Sequence, residues 1–317
     1  MLTTIKRTAF KVRRFVNKKW LTSAPIDTFR FPPEFDAHIY KKSYRDVIKY
    51  SHKDLYTHYL NQGLNEGRRA NILKTRFDFI ELIPKDKKVL EIGPFWNPSI
   101  FGEKVFYFDI QDKEELMLKA KSFKLPVKNC PYIHFVSPTG NLDIVNECFD
   151  VVLSSHCIEH QPNLLKHLNN VEKLLNPGGY YFVLAPDKRY CFDHFIPESS
   201  LAQVIETQIE NKGFHSLRTF LENGSLTTHN EQLRHWKGDH GNPLLSIKER
   251  VEDSLTRYNK SLASKEYVDL HTWYFTPNSF KNIIDGLNAV SYTRLTIEKI
   301  YPTLYGSNEF WAILKKS

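Results

Sequence analysis

The sequence lacks a long apolar run, a paired cysteine motif and a glycine-rich phosphate loop, and each absence removes a class of protein. Its longest strongly apolar stretch, Tyr180 to Pro186, falls far short of the roughly 20 residues that a membrane-crossing helix requires. No apolar segment follows the basic N-terminus as a secretory signal would, so a cytoplasmic protein is expected, at most peripheral to the inner face of the membrane. Cys130, Cys148, Cys157 and Cys191 stand singly, which points away from a disulfide scaffold or zinc knuckle and toward reduced thiols. Acidic residues are missing from the first 20 positions, where seven basic ones stand. Taking those seven from the chain's 44 leaves 37 basic against 36 acidic residues, so the net charge of +8 belongs to the tail and no nucleic-acid partner is expected.

What is present suffices for ordinary folding: 317 residues, 41% apolar, allow one large domain and a smaller one. Within a basic tail of residues 1–30, Ile5, Ala9, Val12, Val16 and Trp20 recur at helical spacing among lysines and arginines, which predicts an amphipathic helix over residues 1–20. Such a helix can lie on anionic lipid, dock on a partner, pack on its own protein or serve as an organelle transit peptide, and the pattern leaves these open. Residues 31–74 read as a small helical module, two short helices closed by Gly63 and Gly67. From Lys87 the period changes to short apolar runs: Lys88 to Ile92, Val105 to Ile110, Tyr132 to Val136, Phe149 to Ser154 and Tyr180 to Ala185. Leu164 to Leu175 is an amphipathic helix before the turn Asn176-Pro177-Gly178-Gly179, and a helix from Pro277 to Leu287 precedes strands at Leu295 to Tyr301 and Glu309 to Leu314. The order predicts an α/β fold, a Rossmann-like doubly wound sheet over residues 75–186 and 270–317, with an insertion at 187–269 after the fifth strand. An insertion at a strand's carboxyl end is placed to cover the site and choose the substrate.

Glu91 ends the first strand, Gly93 follows it, and Asp109 ends the second strand 18 residues after Glu91. A carboxylate at the second strand end can accept hydrogen bonds from both hydroxyls of a ribose, and a glycine at the first lets backbone approach the ligand. The missing G-x-G-x-x-G removes the cradle for a pyrophosphate, which a dinucleotide has and S-adenosylmethionine does not.

The strings E-I-G-P, Y-F-D, F-D-V-V-L-S-S-H-C-I-E-H and L-N-P-G-G-Y, with the closing helix and hairpin, resemble class I S-adenosylmethionine-dependent methyltransferases over roughly residues 76–186 and from 270 on. The resemblance implies a seven-stranded sheet ending in an antiparallel hairpin, with S-adenosylmethionine as cofactor. It implies that Glu91, Gly93 and Pro94 of E-I-G-P border the methionine part, Asp109 takes the ribose, Asn141 and the backbone of Leu142 face the adenine, and His156 sits beside the sulfonium. E-I-G-P-x-x-N-P, P-D-K-R-Y-x-F-D-H and H-x-W-x-F-T-P resemble a subgroup encoded among bacterial surface-polysaccharide biosynthesis enzymes. Phe35, Asp36, Tyr40, Tyr44, Asp46, Val47, His58, Tyr59, Gly63, Glu66, Gly67 and Arg68 match a helical module found beside glycosyltransferase domains. This chain departs from the pattern after Gly93: only six residues separate Pro98 from Val105, too few for a full first helix, so loop amides or another segment must meet the cofactor carboxylate.

Methyl transfer is an in-line displacement at a carbon activated by positive sulfur, so a hydroxyl acceptor needs alignment and a base. His156, ending the fourth strand, is the first candidate, with Asp187 and His194 after the fifth strand as alternatives. His160 is expected to cap or support. Arg189, Tyr190, Asp193, His271 and Trp273 are expected to bind the acceptor, Trp273 as a stacking platform. His229, His235, Asp239 and His240 form no strong metal signature, so no metal is expected. The leading expectation is O-methylation of a saccharide or glycan during cell-surface polysaccharide synthesis, with glycosyltransferases as partners. A methyltransferase of a small metabolite or lipid-linked intermediate, or a non-catalytic scaffold for glycosyltransferases, are the alternatives.

Overall fold

A computed structural model describes residues 29–211, 213–264 and 268–317; the basic segment 1–20 lies outside the described residues. Among the described residues no helix is long and apolar enough to cross a membrane.

The chain enters along the sheet, where Phe29 and Phe31 pack on Tyr180. Helix α1 (Ala37–Ser43) starts where extended Asp36 accepts the Ile39 N–H, and α2 (His52–His58) where Ser51 accepts that of Asp54. Tyr40, Val47, Leu55, Tyr59 and Ala70 form a small core of their own. Gly67 joins this module to the sheet. Its φ of +64° suits glycine, and a Cβ there would stand 2.4 Å from the Tyr305 nitrogen, which instead donates to the Gly67 carbonyl at 2.9 Å.

Helix α3 (Arg76–Ile80), held by a Thr75–Asp78 capping box, leads into β1 (Val89–Ile92), β2 (Val105–Asp109), α4 (Lys113–Ser122), β3 (Phe135–Val136) and β4 (Phe149–Ser155). Then come α5 (Leu164–Leu174) and β5 (Leu175–Pro186). The insertion supplies α6 (Leu201–Ile209), α7 (Leu217–Leu226), α8 (Gln232–Trp236) and α9 (Ile247–Ser264). The sheet resumes with α10 (Pro277–Ala289), β6 (Leu295–Tyr301) and β7 (Glu309–Lys316). Its order is β3-β2-β1-β4-β5-β7-β6, with β7 antiparallel between β5 and β6 and the others parallel. This is the expected seven-stranded class I arrangement. Side chains alternate across it: Leu90, Ile92 and Val152 face α5 and α10, while Val89, Val151 and Leu153 face Phe79 and Trp311. The chain order reverses between β1 and β4, which opens a cleft at their carboxyl ends.

Two elements differ from the expected bounds. The run Tyr132 to Val136 pairs as a strand only at Phe135–Val136, because the His134 ring takes the Tyr107 N–H at 3.1 Å, where a ladder carbonyl would stand. The turn Asn176-Pro177-Gly178-Gly179 is a bulge within β5: Phe149 pairs with Leu175 and Val151 with Tyr180, leaving the four residues between unpaired.

Candidate active site

The cleft starts at Gly93. Its φ is +70°, and a Cβ would fall 2.4 Å from Cys157 Sγ, so only glycine lets the loop after β1 pass the end of β4. No helix follows. Residues beyond Gly93 turn back and are held from beneath by Glu91, whose carboxylate accepts the Ser99 and Ile100 N–H groups at 2.7 and 3.3 Å. Burial raises the Glu91 pKa to about 7 against these bonds.

A cavity of about 270 Å³ occupies the cleft, and Gly93, Asp109, Leu142 and His156 all line it. The Asp109 carboxylate accepts the Ile110 N–H at 2.7 Å and the Phe95 N–H at 3.4 Å; burial raises its pKa. Asn141 lines an adjoining cavity and spends its side-chain oxygen on the Asp143 N–H at 3.2 Å. Glu91 and Pro94 face a third cavity behind the loop. Four of the expected cofactor residues therefore share one wall, Asn141 stands beside it, and Glu91 and Pro94 support the loop from the other side.

His156 sits in the left-handed region at φ 52°, uncommon for a residue with a side chain, and its backbone N–H is tied to the Leu184 carbonyl at 2.9 Å. Its Nε2 is 2.9 Å from Glu309 and its Nδ1 3.6 Å from Glu159. Burial pushes its pKa down, but the bond to Glu309 and the Glu159 charge more than reverse this, so the net shift is upward. Arg76 reaches the same cluster, 3.7 Å from Glu309 and hydrogen-bonded to Ser155.

The residues after β5 stand elsewhere. Asp187 is fully buried and clasps the Arg189 guanidinium at 2.9 and 2.6 Å, with Thr303 donating to it at 2.7 Å. His194 Nδ1 donates to the Arg189 carbonyl (2.8 Å), and the ring stacks on His240. Tyr190 stacks on Trp236 with ring centroids 3.6 Å apart. Buried Asp193 holds His271 Nδ1 at 2.6 Å, and Trp273 is a core residue whose Nε1 donates to the Gln161 carbonyl. None of these seven lines the main cavity, but Trp273 lines a neighbouring groove in the insertion. The sequence fixes the end of β5 but not the direction of each side chain beyond it. His235 and His229 are spent on one another's loop, through His235 Nε2 to the His229 carbonyl at 3.0 Å, and Asp239 pairs with Arg234.

The cavity gains residues that the motifs did not single out: Gln111, Lys119, Thr139, Gln161 and Asp269. Gln161 directly follows the I-E-H string, which was a usable signal. Asp269 and Glu309 come from distant segments, and only the oddity of an acid opening the apolar run E-F-W-A-I-L marked the second.

Residues 96–183 match the family described as "Methyltransferase domain". No curated protein matches the chain. Among solved structures it is similar to TehB from Haemophilus influenzae, with 15% identity, 36% of this chain and 41% of that one covered, and a TM-score of 0.27. It is also similar to the mitomycin 7-O-methyltransferase MmcR (9%, 86% and 60%, TM-score 0.38) and to a SAM-dependent methyltransferase from Aquifex aeolicus (11%, 76% and 88%, TM-score 0.35). The chain thus spans 41% and 60% of the lengths of the first two. Residues 96–183 thus match a methyltransferase domain, and the sheet that contains them has the class I strand order.

Proposed function

From S-adenosylmethionine as the cofactor, we propose that this chain methylates a hydroxyl of a saccharide during the assembly of a cell-surface glycan. The observation that carries the reading is a second, larger space beside the cofactor cavity. A groove of about 620 Å³ in the insertion adjoins the cleft at Pro162, and it offers Gln203, Glu206, Arg218 and Glu222 beside the rings of Phe214 and Tyr258. Polar groups flanking aromatic faces suit a chain of hydroxyls with apolar ring faces. The sequence resemblance to polysaccharide-biosynthesis enzymes supports the same class of acceptor.

S-adenosylmethionine held in the cleft would supply a methyl carbon activated by positive sulfur to an acceptor oxygen aligned with it. His156 takes the hydroxyl proton on Nδ1, since Nε2 is held by Glu309, and the Glu159 carboxylate 3.6 Å away stabilises the imidazolium that forms. The basic segment 1–20 is proposed to bring the enzyme to an anionic membrane surface or to a glycosyltransferase. Mass spectrometry of surface glycans from cells with and without the protein tests the reading. A methyl increment lost with the protein is expected; unchanged glycans together with a methylated small metabolite would move the acceptor to that class.

A further inference from the structure

Glu159 is fully buried, and neither of its carboxylate oxygens has a hydrogen-bond partner. A carboxylate so placed is costly unless a cation neutralises it. Imidazoles surround it: Glu159 Oε1 lies 3.6 Å from His156 Nδ1, 3.8 Å from His160 Nε2 and 3.9 Å from His271 Nε2. Each ring has another carboxylate on its far side. Glu309 lies 2.9 Å from His156 Nε2, Asp269 3.0 Å from His160 Nδ1 and Asp193 2.6 Å from His271 Nδ1. An acid behind an imidazole fixes the tautomer whose other nitrogen offers a lone pair, which is how metal-binding histidines are oriented. Lone pairs thus converge on a bare carboxylate, an arrangement that lacks only a positive charge at its centre.

We propose that Glu159, His160 and His271 bind a divalent transition-metal ion of the zinc or manganese class in the wall of the methyl-transfer cavity. Their ligand atoms all lie within 4.8 Å of one another. Tetrahedral ligands with bonds of ~2.1 Å stand about 3.4 Å apart, so the two Glu–His separations close onto an ion by contracting about half an ångström. Two imidazoles and one carboxylate form the donor set of metal sites that keep positions open for a reactant. His156 and His160 both line the cavity, which places the ion beside the cleft. A hydroxyl bound there has its pKa lowered by the ion and gives its proton to His156. That role rests on the hydroxyl-methylation reading; ion binding does not.

The other group of candidate ligands among the described residues, His194, His235 and His240, is less suited. The His194 and His240 rings stack face to face with centroids 3.6 Å apart, so their in-plane lone pairs do not converge, and no carboxylate joins them.

The test is metal analysis of the full chain without any acceptor. After dialysis against a chelator, the protein is titrated with Zn²⁺, Mn²⁺ or, for its visible absorption, Co²⁺, and bound metal is counted. One ion per chain is expected, lost in His271→Ala and Glu159→Gln and retained in His235→Ala. Asp193→Asn, which keeps the ligands but not the acid behind His271, should weaken binding roughly 10- to 100-fold, and it stands in if either ligand variant misfolds. No stoichiometric ion in the wild type overturns the site, as does an ion that survives the ligand variants or disappears with His235→Ala. Binding of S-adenosylmethionine and methyl transfer are measured separately on the same samples. A metal-free but active enzyme sinks this inference alone, whereas a metal-loaded protein with no transfer to any hydroxyl sinks the functional reading.

Discussion

His156 and Glu309, 153 positions apart in the chain, meet in a 2.9 Å contact between imidazole Nε2 and carboxylate. β7 lies between β5 and β6, and this topology brings Glu309, the first residue of β7, across the mouth to the end of β4. Burial pushes the Glu309 pKa up, but His156 and Arg76 overcome this, so it falls below the usual range and the group stays charged. Its other oxygen accepts from Trp311 Nε1 at 2.9 Å, which fixes the carboxylate in place. Glu309 is therefore a positioning residue. Glu309→Gln should lower kcat on the order of 10²-fold through misplacement of the His156 ring, with S-adenosylmethionine affinity kept. Parallel loss of cofactor binding in calorimetry would mean that Glu309 acts on the fold of the cleft instead.

The Asp109 carboxylate retains lone pairs even though backbone amides of Ile110 and Phe95 share it, and the proposed reading gives these to a ribose. Asp109→Ala should weaken cofactor binding by roughly 1.5–3 kcal/mol for each charge-assisted bond lost. Calorimetric titration of a correctly folded variant measures it, and wild-type affinity there would exclude Asp109 from the ribose site.

Gly93→Ala carries two separable penalties, one in backbone conformation and one in the contact with Cys157 Sγ. In a Cys157→Ala background the contact is gone, and only the left-handed backbone cost of about 1–2 kcal/mol should remain. Denaturant melts of the single and double variants should therefore be non-additive. Additive losses would show that the loop simply moves away from β4.

Glu91 makes stability depend on pH. Its folded pKa of about 7 lies above the 4.5 of a free carboxyl, so the folded state holds the proton more tightly. The stability it lends is then full below about pH 4.5 and is lost as pH rises through about 7. Glu91→Gln removes the ionisation, so its melting temperature relative to wild type should improve from pH 5 to pH 8. A constant difference across that range would place the Glu91 titration outside the window.

The fold was legible because strand ends carry chemistry in a fixed order. The apolar runs Lys88 to Ile92, Val105 to Ile110 and Phe149 to Ser154 marked strands that form at Val89–Ile92, Val105–Asp109 and Phe149–Ser155, and the shortage of residues between Pro98 and Val105 marked the missing first helix. The site was legible only where one residue sits directly on a strand end, as Asp109 and His156 do. Asp187 follows a strand end too, yet it is consumed by Arg189 two positions later, a local clasp that no period reveals. The acids behind His156, His160 and His271 come from three separate segments, and such pairings depend on tertiary packing alone.

The three candidate bases separate by environment. His156 lines the cavity, so His156→Ala should lower turnover by ~10²- to 10⁴-fold, the usual worth of a positioned proton acceptor. His194 is outside the cavity, its Nδ1 at the Arg189 carbonyl and its ring on His240, so His194→Ala should keep near wild-type turnover. Asp187→Asn should act on stability rather than chemistry, because it breaks one side of a largely buried ion pair. The usual cost is about 3–5 kcal/mol, and the lower part of that range applies since the Arg189 side chain is 37% exposed. Single-turnover rates and denaturant melts on the three proteins test the set together. Full activity in His156→Ala, or a large rate loss in His194→Ala without loss of stability, would relocate the base to the insertion, and the cleft between β1 and β4 would then hold only the cofactor.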